Sequence, residues 1–330
     1  MYDIRPFIQT VKQIVDRHAL SKPGEYARWI EQDAKGSRDL GSTPYGCANA
    51  VNILYTIGEL PASLSGKQVF VDVLQNFQNK EKGLFENTGN YQTHTTAFLS
   101  GALYLLGAAP LYKADGFHKY LDKKELYALL NGIDWANEPW LGSHIGAGIY
   151  ASMVLTGTAD DAWEDLYFDW LRDNADPETG LWKRGCLKGA PGFHYLAAAF
   201  HYVFNHEYAK RSLPYAGALL DTCIRAYEQG ECIDFATEMG WADIDYAYLL
   251  ARVQRRAGTR YEETRRILEK IADGLIAQLM NMDALTNERL NDLNTLFAIV
   301  SALAVLQDAL PGYIRTSKPL KLVLDVRPFV

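Results

Sequence analysis

Six strongly apolar segments recur along the chain at a spacing of about 50 residues. Each is rich in alanine, leucine and glycine and has almost no polar face, which is typical of a helix that is buried on every side. Successive segment ends are 49, 50, 50, 51 and 50 residues apart, and they fall at Gly58, Gly107, Gly157, Glu207, Gly258 and Asp308. Glycine is the residue favoured just past a helix end. The pattern predicts a repeat architecture with one buried helix in each repeat.

A more amphipathic segment precedes each apolar one, and we expect it to form the outer helix of a pair. These segments are GEYARWIEQ, KQVFVDVLQNFQ, KELYALLNGIDW, DAWEDLYFDWLRD, YAGALLDTCIRAYEQ and YEETRRILEKIADGLIAQL. Six pairs can bury their apolar helices together if they close into a ring with the amphipathic helices outside. The sequence therefore predicts an all-α fold, an (α/α)6 toroid of six helical hairpins that occupies residues 1–330 as one domain. Only LKLVLDV, at residues 320–326, has a strand-like pattern.

Composition and charge narrow the class of protein. Hydrophobic residues make up 48% of the chain and charged residues 22%, the balance of a soluble protein with a sizeable core. The net charge of −7 argues against nucleic acid or an anionic membrane surface as the partner. The first residues include Asp3 and Asp16 and lack the apolar core of a signal peptide, and no apolar run is long enough to span a membrane. The four cysteines have no CxxC spacing, so we expect a cytoplasmic protein with reduced thiols.

A histidine recurs at the same point of three consecutive repeats. Thirteen residues before the six segment ends lie, in order, Tyr45, His94, His144, His194, Asp245 and Thr295. In a ring of parallel inner helices, these equivalent positions all face one opening. Helix N-termini converge at the same opening, and their unpaired N–H groups and positive dipole ends favour an anionic ligand. We therefore expect the functional site at this opening.

Two short stretches and the repeat pattern carry a resemblance to known families. The stretch DPETGLW is similar to loops of six-hairpin glycosidases, and KEKGLFENTGNYQTHTTAFLSGALYLLG resembles the repeat of terpenoid cyclases and protein prenyltransferases. The chain as a whole resembles the six-hairpin toroids shared by many glycoside hydrolases and polysaccharide lyases. The prenyltransferase zinc pattern is incomplete, since Asp221 and Cys223 match its first half but no histidine follows His206. The DxDD motif of terpenoid cyclases is also incomplete, since Asp243 and Asp245 lack its final acid.

The resemblance implies chemistry on a carbohydrate, and the residues at the opening suit it. Glycoside hydrolysis generally uses two carboxylates set a few ångströms apart, and WADID supplies Asp243 and Asp245 as the candidate acid/base groups. In this interpretation His144 and His194 orient the substrate. Aromatic, acidic and amide side chains and one arginine would bind the sugar, namely His94, Trp140, Glu178, Trp182, Arg184, Trp241 and Asn294. The sequence thus favours a glycoside hydrolase that acts on small acidic oligosaccharides.

A polysaccharide lyase is the nearest alternative, because elimination needs a base such as His or Tyr and a group that neutralises a uronate carboxylate. Tyr45 with His94, His144 and His194 would supply the base, with Arg184 or Asn294 as the helper. A toroid that binds a ligand or a partner protein without turnover, and a terpenoid-type enzyme with a dry aromatic cavity, are two further alternatives.

A metal site is the remaining possibility at the opening. Three histidines and an aspartate are ligands that zinc accepts. In this sequence they fall on four different helices around a wide ring, so we expect neither a metal nor another cofactor.

Overall fold

Regular structure in this protein is almost entirely helical. The computed structural model describes residues 1–86, 89–232, 234–235 and 238–330. The α-helices of this part of the chain are α1 (Arg5–Arg17), α2 (Pro44–Thr56), α3 (Leu64–Asn76), α4 (Gln92–Leu105), α5 (Lys123–Asn131), α6 (Pro139–Leu155), α7 (Asp161–Asn174), α8 (Gly192–Ala209), α9 (Ala216–Glu228), α10 (Trp241–Ala257), α11 (Tyr261–Met280) and α12 (Leu293–Ala309). Short 3-10 helices span Asp115–Leu121 and Val323–Asp325, and β1 (Tyr2–Asp3) pairs in parallel with β2 (Ile314–Arg315). The prediction of an all-α protein is confirmed.

The even-numbered helices are the six apolar segments of the repeat, and their side chains are mostly buried. Each contacts the next even-numbered helix, and α12 returns to contact α2. We call this closed arrangement of α2, α4, α6, α8, α10 and α12 the helix cycle. The glycines just past α2, α4 and α6 are left-handed, with φ of 73° at Gly58, 77° at Gly107 and 65° at Gly157. These values confirm the role expected of glycine after a helix end.

The odd-numbered helices are amphipathic and pack against the even-numbered helices that follow them. In α7, for example, Trp163, Tyr167, Trp170 and Leu171 are buried, and this spacing places them on one helix face. Each helix of the helix cycle is therefore packed against an amphipathic, half-buried helix. Within the described residues, no helix combines the length and the apolarity that crossing a membrane requires.

The structure corrects two local predictions. Residues 24–32, predicted as an outer helix, are not helical, and Trp29 instead forms an antiparallel bridge with Asp292. The side chain of Arg28 also pairs with the Asp292 carboxylate, with Nε–Oδ1 and Nη2–Oδ2 distances of 2.7 and 2.8 Å. Helix α1 takes the place of the first outer helix and contacts α2. The stretch LKLVLDV forms no strand and contains the 3-10 helix Val323–Asp325.

A positively charged side chain lies in the interior of the protein. Arg327 is fully buried, and its Nη1 donates a hydrogen bond to the carbonyl oxygen of Phe98 at 3.3 Å. The guanidinium also faces the rings of Phe98 and Phe297, at 5.6 and 5.9 Å from their centroids. Burial lowers the pKa of Arg327 to about 9. Gly101 leaves the space for this group, because a Cβ there would lie 2.3 Å from Nη1.

Gly101→Ala should therefore destabilise the protein. The added methyl group forces the buried Arg327 side chain to move, and overpacking of this kind costs about 1–3 kcal/mol. Gly217→Ala is the matched control, since a Cβ on this exposed helical glycine would meet nothing within 4 Å. That change should raise the free energy of unfolding by up to about 1 kcal/mol through helix propensity. Urea unfolding of both variants checks the prediction, and equal effects of the two changes would contradict it.

Candidate functional site

A cavity of about 280 Å³ lies where the N-terminal ends of the cycle helices meet. Its lining includes at least one side chain from each helix of the cycle. The lining residues are Arg28, Tyr45, Asn90, His94, Trp140, His144, His201, Trp241, Asp245, Asn294 and Val330. The lining residues that belong to cycle helices lie within the first six residues of those helices. His201 is the exception, because it lies midway along α8. We call this space the first cavity.

Three histidines in the first cavity contact one another in a row. The ring centroids of His94 and His144 are 4.8 Å apart, and those of His144 and His201 are 4.5 Å apart, both in edge-to-face arrangements. Burial lowers the pKa of His144 to about 4. Burial lowers the pKa of His94 and of His201 well below the usual value, and the neighbouring histidines add to this effect. The row is therefore uncharged near neutral pH and offers imidazole donors and acceptors rather than cations.

Hydrogen bonds fix both ends of this row. At one end the Tyr45 hydroxyl bonds to Nδ1 of His94, and burial raises the pKa of Tyr45. At the other end the Ser143 hydroxyl lies 2.6 Å from the carbonyl oxygen of Trp140 and 2.7 Å from Nδ1 of His201. A carbonyl oxygen only accepts, so Ser143 donates to Trp140 and Nδ1–H of His201 donates to Ser143. Nε2 of His201 is then the nitrogen with a free lone pair.

His201 did not emerge as a site residue from the sequence. It lies two helical turns after His194, inside the apolar stretch AAAFHYVF, and is 3% exposed. The sequence signal for His201 is a histidine in the middle of an apolar helix. The repeat pattern does not use this signal, because it points only to residues at helix N-termini.

Asp245 is the one acidic side chain among the described residues that line the first cavity. It is 2% exposed and accepts a hydrogen bond from the indole N–H of Trp140. Burial raises its pKa well above the usual value, against the effect of the Trp140 bond, and nearby Asp243 raises it further. The protonated form is thereby favoured, so Asp245 is suited to donate a proton.

Asp243 occupies a different position. It is fully buried and does not belong to the first-cavity lining, and its Oδ2 accepts the backbone N–H of Gly240 at 2.7 Å. This bond caps the start of α10. Burial raises the pKa of Asp243 to about 7, against the opposing effect of the Gly240 bond.

A second cavity of about 400 Å³ adjoins the first. Asn137, Glu138, Trp140, Leu141, His144 and His194 line it, so Trp140 and His144 belong to both cavities. The ring of Trp140 lies 5.5 Å from that of His194 and 5.5 Å from that of Phe193. His194, the third histidine of the repeat, thus faces the second cavity rather than the row in the first.

Three of the expected sugar-binding residues lie outside both linings. Trp182 is fully buried, and its indole N–H donates to the carbonyl oxygen of Leu171 at 2.7 Å, so no ring surface is open to a ligand. Glu178 and Arg184 are exposed on the same loop. By contrast Trp241 and Asn294 line the first cavity, where Asn294 accepts a hydrogen bond from Asn49 at 3.2 Å that orients its amide.

The described residues contain no group of three or more His, Cys, Asp or Glu side chains placed to hold a metal ion. Comparisons with protein families, with curated proteins and with solved structures found no match. The geometry of the two cavities is accordingly the basis for a functional proposal.

Asp243→Asn should make the stability of the protein less sensitive to pH. A carboxyl with a pKa raised from 3.8 to about 7 binds more protons in the folded than in the unfolded state across that window. Stability is therefore lost as pH rises through it, whereas the asparagine keeps an oxygen for the Gly240 N–H and does not titrate. The stability gain of the variant over the wild type should grow from about pH 4 to about pH 7, by roughly 1–4 kcal/mol, and then level off.

Chemical denaturation across this pH range measures that gain. The titrating histidines are common to both proteins, so they cancel in the difference. Asp243→Ala is the control, because it removes the same charge but also the cap, and it should be less stable than Asp243→Asn by about 1 kcal/mol at every pH. A gain that does not change with pH would contradict the raised pKa.

Proposed function

We propose that the first cavity is the active site of a carbohydrate-active hydrolase, built on an (α/α)6 toroid, that acts on small acidic oligosaccharides in the cytoplasm. The closed helix cycle, with an amphipathic helix against each member, supports the toroid. The observation that carries the activity is Asp245, a buried carboxyl with a raised pKa in the wall of a cavity to which all six cycle helices contribute. Perturbed carboxyls of this kind cluster at active sites.

The single acidic side chain selects among hydrolytic reactions. Ordinary glycoside hydrolysis uses two Asp or Glu side chains across the scissile bond, whereas the described lining of the first cavity contains one acidic side chain, Asp245. Addition of water to an unsaturated uronate needs only one. Asp245 would give its proton to the double-bond carbon farther from the ring oxygen, and water would add to the carbon that bears the ring oxygen and the carboxylate. The proton released by water returns to Asp245, and the hemiketal product opens and releases the attached alcohol.

The rest of the lining supports an acidic sugar as the ligand. The rings of Trp140 and Trp241 offer surfaces to the apolar faces of a pyranose. The amides of Asn90 and Asn294 provide N–H donors for a carboxylate, and the converging helix N-termini favour its negative charge. The uncharged histidine row can exchange hydrogen bonds with sugar hydroxyls.

One specific contact, the hydrogen bond between Tyr45 and His94, supports a lyase as the second candidate function. The hydroxyl of Tyr45 is hydrogen-bonded to Nδ1 of His94, which forms a phenol–imidazole unit able to move a proton. In an elimination this unit would remove the proton next to a uronate carboxylate and return it to the leaving oxygen, as the bond to that oxygen breaks and the double bond forms. Asp245 has no required part in that reaction.

Mid-ultraviolet absorbance distinguishes the two reactions. With disaccharides that end in an unsaturated uronate, hydrolysis removes the conjugated double bond and absorbance falls. With saturated polyuronates, a lyase creates that bond and absorbance rises. We expect a fall, and we expect it to slow as pH rises, because Asp245 must be protonated to act and its raised pKa sets where the proton is lost.

Two variants assign the chemistry. Asp245→Asn should lower kcat by roughly a hundredfold or more, the usual effect of losing a general acid. Tyr45→Phe should leave most of the hydrolytic rate, since the phenol is not the proton donor. The reverse pattern, with rising absorbance, would establish the lyase, and binding of these sugars without any absorbance change would indicate a non-catalytic toroid.

A further inference from the structure

The interior of the helix cycle is filled by residues 327–330. This segment follows Lys321, whose backbone N–H donates to the carbonyl oxygen of Thr56, the last residue of α2. Its carbonyl at Pro328 accepts a hydrogen bond from Asn205 of α8 at 2.9 Å. It therefore starts near the C-terminal ends of the cycle helices and runs inward between them.

The same segment forms the inner wall of the first cavity. Phe329 is fully buried, with its ring 5.0 Å from that of His94 and 5.8 Å from that of Phe204. Val330 lines the first cavity itself. This wall prevents a ligand from passing through the helix cycle. A ligand too large for the first cavity must therefore extend outward, on the side of the helix N-termini.

The second cavity lies on that side and shares a wall with the first. Trp140 forms the wall, and its position is fixed by the hydrogen bond to Asp245 and by edge contact with Phe193. Leu141, 48% exposed, and His194 complete a mainly apolar surface beyond it. The two cavities are thus placed to hold two joined parts of one ligand.

The acidic side chains at the second cavity indicate which kind of chemical group this cavity would hold. Glu138 lines the second cavity, and Asp134 is close to its edge, where it accepts hydrogen bonds from the side chain of Asn137. These bonds lower the pKa of Asp134 and keep it ionised. Two carboxylates disfavour a second acidic sugar, whereas the indole and the leucine side chain favour an uncharged apolar group.

We propose that the ligand carries an uncharged apolar group, such as an aryl aglycone, that occupies the second cavity against Trp140, Leu141 and His194 while an acidic sugar occupies the first. The nature of the group in the first cavity rests on the function proposed above. The aryl group in the second cavity is a separate claim, argued from the lining of that cavity.

Calorimetric binding to the full-length chain tests this claim without turnover, because saturated glycosides do not undergo the proposed hydration. The probes are methyl glucuronide, phenyl glucuronide, methyl glucoside, phenyl glucoside and a disaccharide of two glucuronates. Phenyl glucuronide should bind about tenfold more tightly than the methyl compound, and more tightly than the acidic disaccharide. Leu141→Asp should reduce the phenyl advantage to about twofold or less, whereas Leu111→Asp, on a leucine that is 56% exposed elsewhere, should preserve it.

The possible outcomes separate this claim from the proposed function. Equal binding of the phenyl and methyl glucuronides, tighter binding of the acidic disaccharide, or a phenyl advantage that survives Leu141→Asp would each overturn the aryl site while leaving the acidic-sugar site in place. A phenyl advantage that is lost in Leu141→Asp, found together with glucosides that bind as tightly as the glucuronides, supports the aryl site and overturns the acidic sugar. Failure of all the glycosides to bind overturns the aryl site, and if the disaccharides that end in an unsaturated uronate also fail to bind, the acidic-sugar site is overturned as well.

Discussion

The burial of the six cycle helices on all sides is the constraint from which the other features of the structure follow. Helices this apolar pack closely, as at Gly148 of α6, where a Cβ would lie 2.9 Å from the backbone of Thr93, the residue before His94. Asn205, within α8, finds its partners inside the protein in Tyr167 and Pro328. At the N-termini, by contrast, polar side chains reach open space and meet the unpaired N–H groups of the helix ends. The cavities therefore lie at the N-terminal ends of the cycle helices, where close packing of the helices ends and polar side chains have room.

The repeating pattern of apolar and amphipathic segments predicted most of the helices, because helix formation depends mainly on residues close in sequence. The apolar segments give the cycle helices, and five of the six amphipathic segments give the helices outside them. The sixth, at residues 24–32, has a helical pattern of apolar residues but is not helical. There Arg28 and Trp29 find their partner in Asp292, more than 260 residues further along the chain. A local pattern contains no information about a partner so distant, and this long-range pairing is the competing interaction seen at the site.

The difference between local pattern and long-range contact also explains which candidate site residues could be placed from the sequence. Tyr45, His94, His144 and Asp245 lie together because equivalent positions in the repeat became neighbours at one end of the helix cycle. Trp182, Glu178 and Arg184 lie on a long loop whose path the repeat does not determine, and they face other surroundings. His194 shares its repeat position with the first-cavity residues but faces the second cavity. Whether a side chain at a shared repeat position points to one cavity or the next depends on a rotation of its helix that the sequence period does not resolve.

Closure between α12 and α2 gives the helix cycle a property that an open row of repeats lacks. In an open solenoid the terminal repeats have one uncovered neighbour face, so unfolding can begin at an end and advance one repeat at a time. A closed cycle has no terminal repeat, and the removal of any one helix pair exposes two apolar faces at once. The Arg28–Asp292 ion pair, 16–23% exposed, lies beside this junction and ties the loop before α2 to the start of α12. Closure of the helix cycle therefore favours cooperative unfolding of its six helices, whatever the stability of each helix pair by itself.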